Sequence, residues 1–283
     1  MDGSGACDPG EPSDTASKTW YGATLTLDDL GGTVTVHTSP AQTGYFVPEQ
    51  ALTGPSNWAS DPVTCDLTPN QANVRVLLQF TSTGGATAHW GSSASAQIGV
   101  VAGQTNSQGI FTAKLTLDNG DNGDTFVVGC YLDKGTLGSF DSADQLLASQ
   151  TIFVGTLDFA VADASGTAAA GDTTADGTAT VTATFGTSNV QGVRVALRIE
   201  GDDDTANTTD NWSFSENSNV DTVTGSTTNA GAFTRSLYWR QDDGDSMIDS
   251  ITDAFQGGWD PDGNGSIDAA AQGSGVDPSG TIS

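Results

Sequence analysis

Two stretches of this chain repeat each other about 120 residues apart. Asn73-Val74-Arg75-Val76-Leu77-Leu78-Gln79-Phe80 matches Gly192-Val193-Arg194-Val195-Ala196-Leu197-Arg198-Ile199. Thr105-Asn106-Ser107-Gln108-Gly109-Ile110-Phe111-Thr112 matches Thr227-Thr228-Asn229-Ala230-Gly231-Ala232-Phe233-Thr234. A period of that size is one small β-sandwich with its loops, so the repeat predicts two copies of one module. Short runs of Val, Thr, Leu and aromatics between Gly/Asn/Asp clusters say the same. They predict strands at 23–27, 33–37, 74–80, 110–117, 125–132, 150–154, 157–162, 178–185, 193–200 and 232–239. Within Thr178–Phe185, Ala179, Val181, Ala183 and Phe185 share one face and threonines the other, the period of a half-buried strand. No amphipathic helix is apparent. The modules are assigned to 18–155 and 156–255, with a boundary near Gly155-Thr156 and an insertion from Ser39 to Gln71. A flexible tether, 1–17, precedes them, and a tail, 256–283, follows.

That tail spaces oxygen ligands as a calcium loop does. Asp260, Asp262 and Asn264 stand at loop positions one, three and five, Gly265 at the sharp turn, Ser266 offers its carbonyl at seven, and Asp268 stands at nine. Position twelve, where a bidentate Glu completes a full-strength site, is Ala271, so the expectation is a weak Ca2+ site suited to a millimolar-calcium exterior. A plain surface turn of Asp, Asn and Gly is the alternative.

Charge narrows the partners. Eight Lys plus Arg against 35 Asp plus Glu give a formal net charge of −27, which repels nucleic-acid phosphates and anionic membrane surfaces. Nearly all the acid is Asp, with Glu only at 11, 49, 200 and 216. Such self-repulsion weakens a compact state unless salt screens it. The melting temperature is expected to climb as the Debye length shortens from about 30 Å at 0.01 M salt to about 3 Å at 1 M. Thermal melts across that range check this, and a flat series would refute it.

No apolar run is long enough to span a membrane, so membrane insertion is not expected. The start, Met1-Asp2-Gly3-Ser4-Gly5, has neither a charged n-region nor an apolar h-region. Either an export signal has been removed or there was none. Three cysteines, Cys7, Cys65 and Cys130, leave one thiol over. Two readings of Cys130 stand: a small buried core residue, or a disulfide to Cys65.

The run Thr174-Ala175-Asp176-Gly177-Thr178-Ala179-Thr180-Val181-Thr182-Ala183, then Gly192-Val193-Arg194-Val195, then Thr228-Asn229-Ala230-Gly231-Ala232-Phe233-Thr234, resembles the bacterial Ig-like domains of the invasin and intimin type. The likeness covers 156 to about 255 and the second half of 18–155. It implies an all-β chain of two tandem Ig-like β-sandwiches, extracellular and non-catalytic, used as spacers or adhesive modules. Asp253-Ala254-Phe255 followed by the loop at Asp260 is similar to thrombospondin type 3 repeats. Asp243, Asp245 and Asp249 stand where an earlier, less regular loop would need them.

Enzyme signatures are missing. His37 and His89, the latter read as a loop residue, form no metal pattern, and there is no Gly-x-Ser-x-Gly elbow, phosphate loop or dinucleotide fingerprint. Asp202-Asp203-Asp204 reads as a solvated loop, and Trp90, Trp212 and Trp239 as packing residues rather than sugar platforms. The expected function is therefore a non-enzymatic extracellular or cell-surface protein, structural or adhesive, with a surface glycan or protein as ligand. A virion decoration or fibre protein and a carbohydrate-binding accessory module are the alternatives. A head-to-tail homopolymer is a further expectation. In it the N-terminal strand, Thr19 to Leu27, fills a groove that the second module leaves open by lacking a strand after Phe255.

Overall fold

The computed structural model describes residues 19–52, 58–91, 99–163, 175, 177–200, 211–218, 220–240 and 254–273. Cys7, Asp202-Asp203-Asp204 and the earlier acidic loop at Asp243, Asp245 and Asp249 lie outside them. The protein is all-β. Among the described residues the helical segments are two three-residue 3-10 turns, at Asp28–Leu30 and Glu49–Ala51. No helix among the described residues is long and apolar enough to cross a membrane.

The first half contains β1 (Gly22–Leu27), β2 (Val34–Val36), β3 (Gln42–Pro48), β4 (Trp58–Thr68), β5 (Arg75–Ser82), β6 (Thr87–Trp90), β7 (Val100–Gln104), β8 (Ile110–Asn119), β9 (Thr125–Leu132) and β10 (Gln145–Asp163). The second half adds β11 (Gly177–Phe185), β12 (Ser188–Gln191), β13 (Arg194–Glu200), β14 (Asn211–Ser213), β15 (Thr222–Ser226), β16 (Ala232–Arg240), β17 (Ala254–Trp259) and β18 (Ala269–Ala270). They form a four-stranded sheet β1-β4-β8-β6, a second of order β15-β13-β17-β18, and a ten-stranded sheet β14-β16-β11-β12-β2-β3-β10-β9-β5-β7 in which β11 also pairs with β10.

The order of neighbours recurs. In the first half β1-β4-β8-β6 stands with β10-β9-β5-β7; in the second, β10-β11-β16-β14 stands with β18-β17-β13-β15. The duplicated motifs hold equivalent hydrogen bonds. Val74 N–H donates to Thr105 Oγ1 and Val193 N–H to Thr227 Oγ1, both at 3.1 Å. Those hydroxyls donate in turn to Gln71 O at 2.6 Å and Val190 O at 2.7 Å. Gly109 and Gly231, at φ 81° and 75°, close the matching turns in the left-handed region that glycine enters without a Cβ clash.

Alternation builds the core. Val63, Cys65 and Leu67 of β4 point inward, as do Phe126, Val128 and Cys130 of β9, and all six are fully buried. Cys65 and Cys130 are joined as a disulfide that ties the β1-β4-β8-β6 sheet to the ten-stranded one. Of the two readings left open for Cys130, the disulfide is the one observed.

The boundary placed near Gly155-Thr156 falls inside the buried strand β10, whose first part pairs with β9 and β3 and whose last part, from Thr156, pairs with β11; three other expectations are corrected. A Cβ on Gly155 would lie 2.2 Å from Thr184 O and 2.3 Å from the Phe46 ring, so both halves pack onto this one residue and share one apolar core. The supposed insertion from Ser39 to Gln71 supplies β3 and β4. In β3 the run Tyr45-Phe46-Val47 is buried without alternation, and β4 is broken at Pro62 by a register shift between Ser60 and Val63. Nor does the second half end at Phe255: β17 pairs with β13 from Ala254 through Trp259, and β18 pairs with β17. The N-terminal strand, finally, is paired with β4 in its own chain, and Leu25 and Leu27 are buried there. The free strand and open groove that head-to-tail exchange requires are therefore both filled within one molecule.

Candidate metal centre

The loop between β17 and β18 carries the acidic cluster. Asp260 follows Trp259 directly, and its N–H donates 3.2 Å to Arg194 O on β13, which fixes the loop's first residue to the sheet. Asp268 N–H donates 2.8 Å to Trp259 O and closes the loop at its base. Between these clips, one oxygen each from Asp260, Asp262 and Asp268 lie within 4.8 Å of one another. Asp260 is fully buried, whereas Asp262 and Asp268 are exposed.

Backbone donors hold the carboxylates. Asp260 accepts from Asn264 N–H at 3.1 Å and Gly265 N–H at 3.0 Å, and Asp262 Oδ1 accepts from Asn264 N–H at 3.1 Å. Gly263 and Gly265, at φ 73° and 85°, aim these N–H groups inward, a conformation costly to residues with a Cβ. Asn264 does not present a free carbonyl: its Nδ2 donates to Asp262 Oδ2 at 2.7 Å and its Oδ1 accepts from Ser266 N–H at 2.6 Å. Of the five residues assigned from spacing, the fold thus brings three carboxylates together and uses Asn264 and Ser266 to brace the turn. Ala271, at the vacant twelfth position, is a core residue whose N–H donates to Gly257 O at 2.8 Å.

Desolvation, and after it the neighbouring carboxyls, raise two of these groups. Burial pushes the Asp260 carboxyl above the usual carboxylate range, and a hydrogen bond with the Asp262 carboxyl adds to the rise against the opposing N–H donors. Asp268, though exposed as a residue, is raised by partial desolvation of its carboxyl, followed by the charges of Asp262 and Asp260. A hard divalent cation with oxygen ligands would relieve both effects at once. Arg194 does not neutralise the cluster by an ion pair: its Nη1 donates 3.2 Å to Pro261 O, and its side chain borders a cleft with Thr224, Ser226, Asp260 and Gly263.

The loop faces the first half of the chain. Gly31, after the 3-10 turn at Asp28–Leu30, sits so close that a Cβ there would lie 2.8 Å from Pro261 O. Elsewhere between the halves, Glu49 gathers contacts from both, accepting from Thr156 Oγ1 at 3.1 Å, Gln272 Nε2 at 3.2 Å and Asn122 N–H at 2.9 Å. Gln50 Nε2 donates to Leu157 O at 3.2 Å. Sequence reasoning passed over Glu49 because no motif surrounds it; the scarcity of Glu in so acidic a chain was the available signal.

The other sequence candidates are accounted for in the fold. His89 lies in β6, not in a loop; it is 5 % exposed, and its Nδ1 is 2.8 Å from Asp118 Oδ2. A separate cleft is bordered by His89, Asp118 and Ser82, and the Ser82 hydroxyl donates to Ala86 O at 2.7 Å. Trp90 is buried against Phe80 at 6.1 Å, and half-buried Trp212 meets Phe255 edge-on at 6.1 Å. The Trp239 side chain lies outside the described residues. No protein-family model matches the sequence, and no curated protein matches it either.

Proposed function

We propose that this chain is a tandem of two Ig-like β-sandwiches acting as a non-enzymatic structural or adhesive element of an extracellular surface, stiffened by Ca2+ where its halves meet. The observation that carries this reading is the place of the Asp260, Asp262 and Asp268 cluster: it sits at the end of β17 and its loop lies against Gly31 of the first half. A cation there ties the loop's own residues together and hardens a surface that the other half touches. The recurring strand order and the inter-sheet disulfide support the sandwich reading and an oxidising location.

Calcium binding only the folded state stabilises it by about 2.7 kcal/mol at a hundredfold excess over Kd. Titration calorimetry and thermal melts on the wild type and Asp262→Ala test this. Heat and a raised melting temperature in the wild type alone are expected, and identical heats with no response to chelation would refute the site.

Acidity should act in opposite directions with and without the ion. The folded carboxyls of Asp260 and Asp268 hold protons more tightly than the unfolded ones. Their contribution without calcium therefore improves as pH falls from neutral into the range just above the ordinary carboxylate value. With calcium present, protons compete with the ion and stability falls over the same range. Paired pH series with calcium and with chelator read the two slopes; parallel slopes would exclude a shared proton and calcium site.

A further inference from the structure

The outer face of the first half carries apolar side chains that the described residues cover only in part. Across β10, β9, β5 and β7 the partners Leu146, Tyr131, Leu77 and Ala102 stand in one register row. Leu77 is fully buried, yet it lies outside the main core cluster, so it is covered from the outer side. The loop after β9 brings Phe140 onto Tyr131 at 4.9 Å, edge to face, and Gly138 onto Ala102. The Tyr131 ring also lies over Gly129, where a Cβ would be 2.5 Å from it, and so extends the apolar surface along β9 toward Val127.

What remains outside is large and apolar: Leu137 is 66 % exposed, Leu146 49 %, Phe140 43 % and Val127 38 %. The corresponding row of the second half is Gly258, Ala196 and Thr224, and there the cover is the half-buried Ile267, whose Cγ2 would lie 2.5 Å from a Cβ on Gly258. Side chains of the first row are thus larger than a closed sheet face requires. Exposed apolar side chains grouped in this way, with Phe140 on Tyr131 and Leu146 paired beside it, mark an interaction site.

Charge selects the occupant. Asp141 and Asp144 stand in the same loop, and Asp124 precedes β9 at the Val127 end. The loop's cation, Lys134, donates its Nζ to Gln145 Oε1, and Arg75 Nη2 is turned to Asp133 O at 3.1 Å. Burial pushes the Asp144 carboxyl up, but N–H donors from Asp141, Lys134 and Gly135 outweigh it and keep the group ionised to lower pH than usual. A second copy of this chain would bring another −27 charges to an acidic rim. We infer that the Val127, Tyr131, Leu137, Phe140 and Leu146 face docks a basic protein segment, which sets aromatic or aliphatic anchors on the apolar row and Lys or Arg on the acidic rim. The inference gives a partner class to the adhesive part of the proposed function and rests on that part, not on calcium.

Panning a random displayed-peptide library on the full chain, with and without calcium, tests it. Peptides rich in Lys or Arg together with Leu, Phe or Trp are expected. Their affinities, measured by fluorescence polarisation, should fall at least tenfold on Leu137→Ser/Phe140→Ser and on Leu146→Ser, and hold on Trp20→Ser, an exposed aromatic that precedes β1. Circular dichroism confirms that each variant is folded. Enriched peptides without basic residues, binding indifferent to the variants, no enrichment at all, or a dimer seen by sedimentation that the variants abolish would each overturn the assignment. Calcium titration run on the same preparations reports on the metal centre separately, so either result can fail alone.

Discussion

Removing the disulfide with Cys65→Ala/Cys130→Ala is expected to lower the unfolding free energy by about 4 kcal/mol, the loop-closure entropy of a cross-link spanning 65 residues. That is a large share of the roughly 5–15 kcal/mol that holds a domain folded. Both sulfurs are fully buried between β4 and β9, so the loss adds small cavities to the lost cross-link. Urea unfolding should place reduced wild type between the oxidised protein and the variant, because reduction breaks the bond but keeps both sulfurs, and thiol labelling of the unreduced wild type should reach Cys7 alone. A change under about 1 kcal/mol would mean that the two sheets are held by packing and not by the bond.

Trp259→Ala is expected to cost about 3–5 kcal/mol, the range for emptying a large aromatic site in a packed core. Trp259 is 1 % exposed and pairs with Val195 across β13. Its carbonyl also anchors Asp268, and its successor is Asp260, so the same change should weaken calcium binding as it destabilises the fold. Calorimetric titration beside urea melts separates the two effects. Calcium affinity equal to wild type in the folded variant would show that the loop is positioned by its own turn hydrogen bonds and does not need Trp259.

Strands whose two faces see different surroundings were legible in the sequence. Thr178–Phe185 was located to within one residue, because water on one side and core on the other imprint a period of two, whereas Thr125–Leu132 was located residue for residue as an apolar run. Elements governed by close packing were not. In β17 the sequence Ala254-Phe255-Gln256-Gly257-Gly258-Trp259 shows no apolar alternation, since Gly257 is forced by Phe159 and Val181, and Gly258 by Ala269 O. Tyr45-Phe46-Val47 is covered on both sides and loses the period altogether. The repeat placed a module boundary near Gly155 without giving the reason for glycine there, which is the close approach of Thr184 and Phe46.

The acidic loop divides along the same line. Its residue types and spacing, Asp260, Asp262 and Asp268 with glycines between, are local information, because a turn is built from consecutive φ and ψ angles. The sequence by itself determined the β class, the doubled motif and this turn, all of which depend on near neighbours or on a periodic contrast between water and core. The tertiary structure decided which strand completes which sheet, that Cys65 meets Cys130, that the loop rests on Gly31, and that the row from Ala102 to Leu146 leaves Leu146 and the Phe140 above it exposed. Those outcomes depend on residues far apart in the chain meeting at van der Waals distance, a constraint that leaves glycines and buried polar groups in the sequence but not the identity of their partners.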